Sequence, residues 1–202
     1  MNEDPFSSSA EARLSSFFGW IKSNLISIAT IFVLIVGSFF VYLYFQNKKE
    51  EELSEAFDAY QNILQSFNDS GSTLENFTKQ IDSKKASIEK TVYETVADLL
   101  IAKKAFDESN LELAKEKLTK ILSTADNSNN PLHDIAVIRL GYILIQERNF
   151  EEAKKNLASK LDFYEPKRLE LLGDIASFEE SFTVANTYYE QAIKATNCLL
   201  YT

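Results

Sequence analysis

The chain has 202 residues, 45% of them hydrophobic and 25% charged, which is length for one ordinary domain and an additional segment. Only 5 Gly and 3 Pro are present, too few for a turn-rich β sandwich or barrel, so an all-α fold is expected. Thirty acidic against 21 basic residues give a net charge of -9, the opposite of what a nucleic-acid surface requires, and a single His with a single Cys leaves no ligand set for zinc.

In chain order, residues 1–22 form a short tail, expected in the cytoplasm only by the resemblance given below. No residue between Lys22 and Lys48 is charged, and Leu25–Phe45 reads LISIATIFVLIVGSFFVYLYF. As a helix of ~1.5 Å rise per residue this stretch measures about 31 Å, close to the ~30 Å hydrocarbon thickness of a bilayer. A transmembrane helix over 23–47 is expected, in lipid contact through residues 25–45. Phe17, Phe18 and Trp20 flank it on one side and Tyr42, Tyr44 and Phe45 on the other, at the headgroup level that aromatic rings favour. A cleaved signal would have a shorter apolar region, about 7–15 residues, and small residues after it, whereas YFQNKKEEE follows here. Arg13 and Lys22 balance Lys48 and Lys49, so basic-residue asymmetry does not orient the span.

Residues 48–202 carry 27 acidic and 19 basic residues, an acidic surface. Within 48–90, read as linker helices, Leu53, Phe57, Tyr60 and Leu64 have helical spacing and predict a helix to about Phe67, ended by NDSGS. A second helix is predicted over Leu74–Ile81.

From residue 91 onward one template recurs three times. Ala102 precedes Ala114 by twelve positions, Gly141 precedes Ala153, and Gly173 precedes Ala185. Glu108, Glu147 and Glu179 share the sixth step, Asn110, Asn149 and Ser181 the eighth, and Leu111, Phe150 and Phe182 the ninth. Such a template describes a helix, a tight turn and an antiparallel helix, with small residues where two backbones approach. The eighth-step residue is expected to cap the second helix, and Asn149 with Glu152 has the form of a capping box. Pro131 and Pro166 are expected at the first helical positions of the second and third units. Units then fall near 91–125, 131–160 and 166–196, within a repeat domain of residues 91–202. Close packing at Gly141 and Gly173 predicts that Leu is excluded at both positions and that Ala is tolerated.

A small residue, an aromatic or Leu nine positions on and Ala twelve on resembles the tetratricopeptide repeat, most clearly in Gly173, Phe182, Ala185, Tyr189 and Ala192. The spacing of the small residues is 39 and then 32, against a usual period of about 34, and the seven extra residues fit in STADNSNN before Pro131. A tail, one span, an acidic linker helix and three such units together resemble the ancillary SecYEG translocon subunit family, above all in IAVIRLGYIL (135–144) and Gly173-Asp174. The resemblance implies a bacterial inner-membrane protein with its N-terminus in the cytoplasm and its C-terminal domain in the periplasm. It also implies, as partners, the SecYEG translocon and a membrane-anchored periplasmic chaperone to which exported proteins are handed.

No catalytic pattern accompanies these repeats. His133 is a helix-start residue with no nucleophile near it in sequence, Glu50, Glu51 and Glu52 point to different faces of a helix, and Cys198 lies close to the end of the sequence. Neither a phosphate-binding glycine loop nor a hydrolase elbow occurs, so no enzyme activity and no cofactor are expected. A helical-hairpin array offers instead a concave face built from its first helices. In the tetratricopeptide register that face holds Lys103, Tyr142, Gln146, Glu170 and Asp174, with Leu99 and Ile138 divided between groove and core in favour of core. The array is expected to end on uncovered apolar surface that includes Leu199 and Leu200. A cell-envelope assembly or division scaffold using the same repeats is the alternative function.

Overall fold

The computed structural model describes residues 14–15, 17–69, 71–124 and 129–199. All regular structure among them is helical: α1 (Leu25–Asn68), α2 (Leu74–Ile88), α3 (Val92–Asp107), α4 (Leu111–Thr124), α5 (Pro131–Gln146), α6 (Phe150–Asn156), α7 (Glu165–Phe178) and α8 (Phe182–Leu199). Two compact units divide the chain between Leu53 and Ser54.

In the first unit residues 17–23 are helical, Asn24 forms a turn, and α1 begins at Leu25. The most apolar stretch of α1 has no buried residue, and the helix is long and apolar enough to cross a membrane. Two of its hydroxyls are satisfied internally: Thr30 Oγ1 donates to the Ile26 carbonyl at 2.9 Å and Ser38 Oγ to that of Leu34. This is how a polar side chain is accommodated where no water can serve it.

The second unit is a row of helical hairpins. Ala59 and Ile63 of α1 close on Phe77, Ile81 and Ile88 of α2, and the same cluster reaches Ala97 and Ile101 of α3. Helix α2 runs to Ile88 rather than Ile81 because SKKAS, though polar, contains no breaker and Ile88 is buried. A second cluster joins α3, α4 and α5 through Leu99, Ala102, Ala105, Ala114, Leu118, Ile121, Ala136 and Ile143. A third joins α5, α6 and α7 through Val137, Leu144, Ala153, Leu157, Leu161, Leu171 and Ile175. Each fully buried Leu or Ile contributes about 1.5–3 kcal/mol, so these three clusters hold the row together.

The turns of the three template units are built alike. Ser109, Arg148 and Glu180 each follow a first helix with φ of 61°, 58° and 59°, a left-handed conformation. Behind each, the next amide returns to the helix: Asn110 N–H to Ala105 O, Asn149 to Leu144 and Ser181 to Ala176, at 2.8, 2.9 and 2.8 Å. This is the Schellman ending, which normally selects glycine, adopted here by side-chain-bearing residues.

Three local expectations are corrected. Asn110 caps α4, its Oδ1 accepting from Leu113 N–H at 3.2 Å, but Asn149 makes no side-chain cap bond. Its Nδ2 donates to Glu152 Oε2 at 2.6 Å, so the amide group has turned toward the carboxylate and the capping box is not formed. Pro131 is the first residue of α5, whereas α7 begins one residue before Pro166, at Glu165. Helix α6 is only 7 residues long, and an irregular strap then runs from Leu157 to Tyr164. Buried Leu157 and Leu161 hold that strap, together with Asp134 Oδ2, which accepts from Phe163 N–H at 2.9 Å. Residues 125–128 of the STADNSNN loop, Leu200, and the side chains of Cys198 and Leu199 lie outside the described residues.

Candidate functional site

Helices α3, α5 and α7 lie along one face of the second unit, and two open grooves run between them. The first, of about 300 Å³, has Lys103, Phe106 and Asp107 from α3, Arg139, Tyr142 and Ile143 from α5, and Leu118 at its base. The second, of about 530 Å³, is formed by Tyr142, Ile145 and Gln146 of α5, Leu171, Asp174 and Phe178 of α7, and Tyr189 of α8. Tyr142 lines both. Its ring is 51% exposed and meets Phe106 edge-on at 6.4 Å, so it forms a shared wall rather than core.

Of the five residues expected on the concave face, Lys103, Tyr142, Gln146 and Asp174 line this pair of grooves. Glu170 lies in a separate depression with Pro166, Ile193 and Thr196, bound to Lys167 at 2.7 Å. Lys103 is paired with Asp107 at 2.8 Å, which leaves little net charge at that wall. Asp174 Oδ1 accepts from Tyr189 O–H at 2.9 Å, and burial together with this carboxylate pushes the phenol above its ordinary pKa. Leu99 is buried in the cluster of α3, α4 and α5, and Ile138 packs half-buried against that of α5, α6 and α7.

The small-residue positions sit at the helix crossings. Ala102, Ala114, Ala153 and Ala185 are each at most 3% exposed. A Cβ placed on Gly141 would stand 3.1 Å from Leu157 Cδ2, and one on Gly173 would stand 2.5 Å from Tyr189 Cε1. The two glycines therefore differ: the first faces the buried Leu157 side chain and the Asn156 amide at 3.1–3.3 Å, contacts that a shift of a few tenths of an ångström relieves, the second the flank of a ring whose hydroxyl is bonded to Asp174.

Sequence reasoning passed over Arg139, the only charge in the apolar run from Ile135 to Ile145. That isolation was the available signal. Its Nη1 donates to the Leu99 carbonyl at 3.0 Å, tying α5 to α3 across the first groove, and burial lowers its pKa while Tyr164 and Asp107 act in the opposite sense. It also passed over the links between neighbouring hairpins. Lys115 on α4 reaches Glu147 in the next turn at 2.9 Å, and Lys154 on α6 reaches Glu179 at 2.6 Å. Glu108, at the matching step of the first unit, accepts instead from Leu74 N–H at 2.8 Å, at the start of α2. The shared sixth-step glutamate is thus the contact between one hairpin and the one before it.

The description of the tetratricopeptide repeat-like domain matches residues 19–198, nearly the whole chain. The chain belongs to the tetratricopeptide repeat-like family. In this family member the matched region begins before the apolar helix, so the span and the repeats are matched together. Among curated proteins it is similar to a Haemophilus influenzae protein named ancillary SecYEG translocon subunit, with 26% identity over 195 residues, covering 93% of this chain and 90% of that protein. The family resemblance read from the repeat residues and the relative's name therefore agree. No solved structure matches the chain.

Proposed function

We propose that this protein is a non-catalytic adaptor of the bacterial inner membrane, anchored by residues 25–45, whose helical repeats bind protein partners at the Sec translocon. Its N-terminal tail is cytoplasmic and its repeat domain periplasmic, where it assists the handover of exported proteins to a membrane-anchored chaperone. The relative's name supports the translocon assignment. The observation that carries the binding role is the pair of grooves sharing exposed Tyr142, a wall of aromatic and aliphatic side chains with polar groups at its edges. Such a surface suits an extended or helical segment of another protein, and the membrane anchor raises the effective concentration of a weak contact.

Photo-crosslinking residues placed at positions 103, 142 and 174 of the full chain in native membranes test this reading. Translocon components and a periplasmic chaperone should be captured from these positions and not from Lys155 or Gln191. Capture of division or cell-wall proteins would favour the scaffold function instead. Capture from the control positions alone would move the interface to the convex face.

A further inference from the structure

The segment that precedes the apolar helix has a pattern of its own. Leu14, Phe17, Phe18 and Ile21 recur at helical spacing, so at 100° per residue they share one face, with Trp20 beyond one edge of it and Lys22 beyond the other, while Gly19 and Ser23 fall on the opposite side. The structure makes residues 17–23 helical and leaves Leu14, Phe17, Phe18 and Trp20 54–58% exposed, with no protein surface over them. At Asn24 the helix ends rather than passing straight into α1. The Trp20 carbonyl accepts the regular helical bond from the Asn24 amide at 3.1 Å and, in addition, bonds from Ser23 Oγ and Asn24 Nδ2, both at 2.9 Å, so polar side chains gather on the last carbonyl before the break.

We propose that the segment from Leu14 to Ser23 is a second membrane contact, an amphipathic helix lying in the headgroup layer of the leaflet where α1 enters, with Leu14, Phe17, Phe18 and Ile21 turned into the lipid and Trp20 and Lys22 along its two edges at headgroup level. The inference rests on the reading of α1 as a membrane span. Continuity with that span names the occupant: the exposed apolar face is adjacent in sequence to residues already in lipid. Were the segment to continue straight out along the bilayer normal, Leu14 would stand ~16 Å beyond Leu25 at ~1.5 Å per residue, and four large apolar side chains would face water. Lying in the plane, the same helix keeps Gly19 and Ser23 at the aqueous surface, lets the long Lys22 side chain reach it from the edge, and buries the apolar face, the arrangement of interfacial helices generally. The protein would then hold the bilayer by two elements in different orientations, which restricts rotation of the span about its own axis.

Trp20 is the only tryptophan in the chain, so the full-length protein in phosphatidylcholine–phosphatidylglycerol vesicles reports directly on this segment. Vesicle flotation comes first; a chain that does not float with the lipid overturns the spanning reading and this inference with it. In floating protein the Trp20 emission should be blue-shifted, shielded from aqueous iodide, and quenched most by lipids brominated high on the acyl chain. A second protein carrying Leu14→Trp with Trp20→Phe separates the in-plane helix from an upright one. The in-plane helix places position 14 at least as deep as position 20 and gives at least a several-fold protection from iodide at both positions. Free access of iodide to position 14 with protection at position 20, or strongest quenching from the bilayer centre, sinks the proposal while leaving the span intact. Phe17→Ser with Phe18→Ser should expose Trp20 to iodide without affecting flotation, and unchanged protection in that variant would equally count against it.

Discussion

The crossing at Gly173 shows how much a single hydrogen atom can determine. Tyr189 lays one flank of its ring against the glycine while its hydroxyl is held by Asp174, so moving the ring away from an added methyl group strains that bond. Gly173→Ala should therefore cost about 1–3 kcal/mol in overpacking, more than the ~1 kcal/mol of helix propensity it recovers. Gly141→Ala, facing the Leu157 tip, should change stability by less than about 1 kcal/mol. Urea denaturation of the two variants of the full chain in detergent measures the difference, and equal tolerance would show that the Tyr189 ring is not fixed. The sequence marks both positions as small but cannot separate them, because the distinction lies in what the facing side chain is bonded to. Glu180 offers the opposite case. A side chain in the left-handed conformation costs on the order of 1 kcal/mol that glycine avoids, and among the described residues the Glu180 side chain makes no hydrogen bond or ion pair. Glu180→Gly should raise the thermal midpoint, and a lowered midpoint would mean that its side chain has a structural role.

At the level of elements, the strap between α6 and α7 depends on a half-buried ion pair. Glu165 receives Arg168 Nε and Nη2, both at 2.7 Å, and Leu161 N–H at 3.0 Å, while Arg168 Nη1 reaches the Leu157 carbonyl at 2.8 Å. Burial alone would raise the Glu165 carboxyl, but the Arg168 bonds and the Leu161 amide hold it below its ordinary value of 4.5. A carboxyl lowered in the folded chain adds stability above its unfolded pKa and loses it as pH falls through the folded one. Stability should thus decline as pH drops below about 4.5, and Glu165→Gln should be less stable at neutral pH with a shallower acid decline. Denaturation midpoints between neutral and acid pH test this; an unchanged acid slope would place the titration elsewhere, with Glu94, lowered by its bond from Lys120, the next group to examine. The helices on either side of this strap were legible in the sequence, since their small, capping and aromatic residues recur at fixed steps. The strap was not, because α6 stops after 7 residues for reasons carried by distant partners: Asp134, Arg168 and the buried pair Leu157 and Leu161. The hairpin formed by the end of α1 with α2 was hidden for a related reason, as Phe77 fills with an aromatic ring the kind of buried position that Ala114 fills in the next hairpin.

For the whole molecule, the grooves were legible as far as the register of the first helices carried, which brought Lys103, Tyr142, Gln146 and Asp174 together and left Glu170 apart. Arg139 was lost because an arginine in an apolar run reads as a surface residue until the carbonyl it serves is known. Tyr142→Ala should lower capture of the bound partner several-fold while shifting stability by less than about 1 kcal/mol, since an exposed tyrosine contributes more to an interface than to the core beneath it. Circular dichroism melting beside crosslink yield separates the two effects, and a parallel loss of both would make Tyr142 a structural residue. The glutamate links between hairpins have a different consequence. Each unit is clamped to its neighbour through Lys115–Glu147 or Lys154–Glu179, and cohesion passes from one hairpin to the next rather than through a common centre. Amide protons should accordingly exchange with solvent in spatial order, fastest in α8, where Phe182 and Ile193 stand uncovered, and slowest in the hairpins enclosed on both sides. Opening of the last hairpin would then be a frequent event that the rest of the row survives.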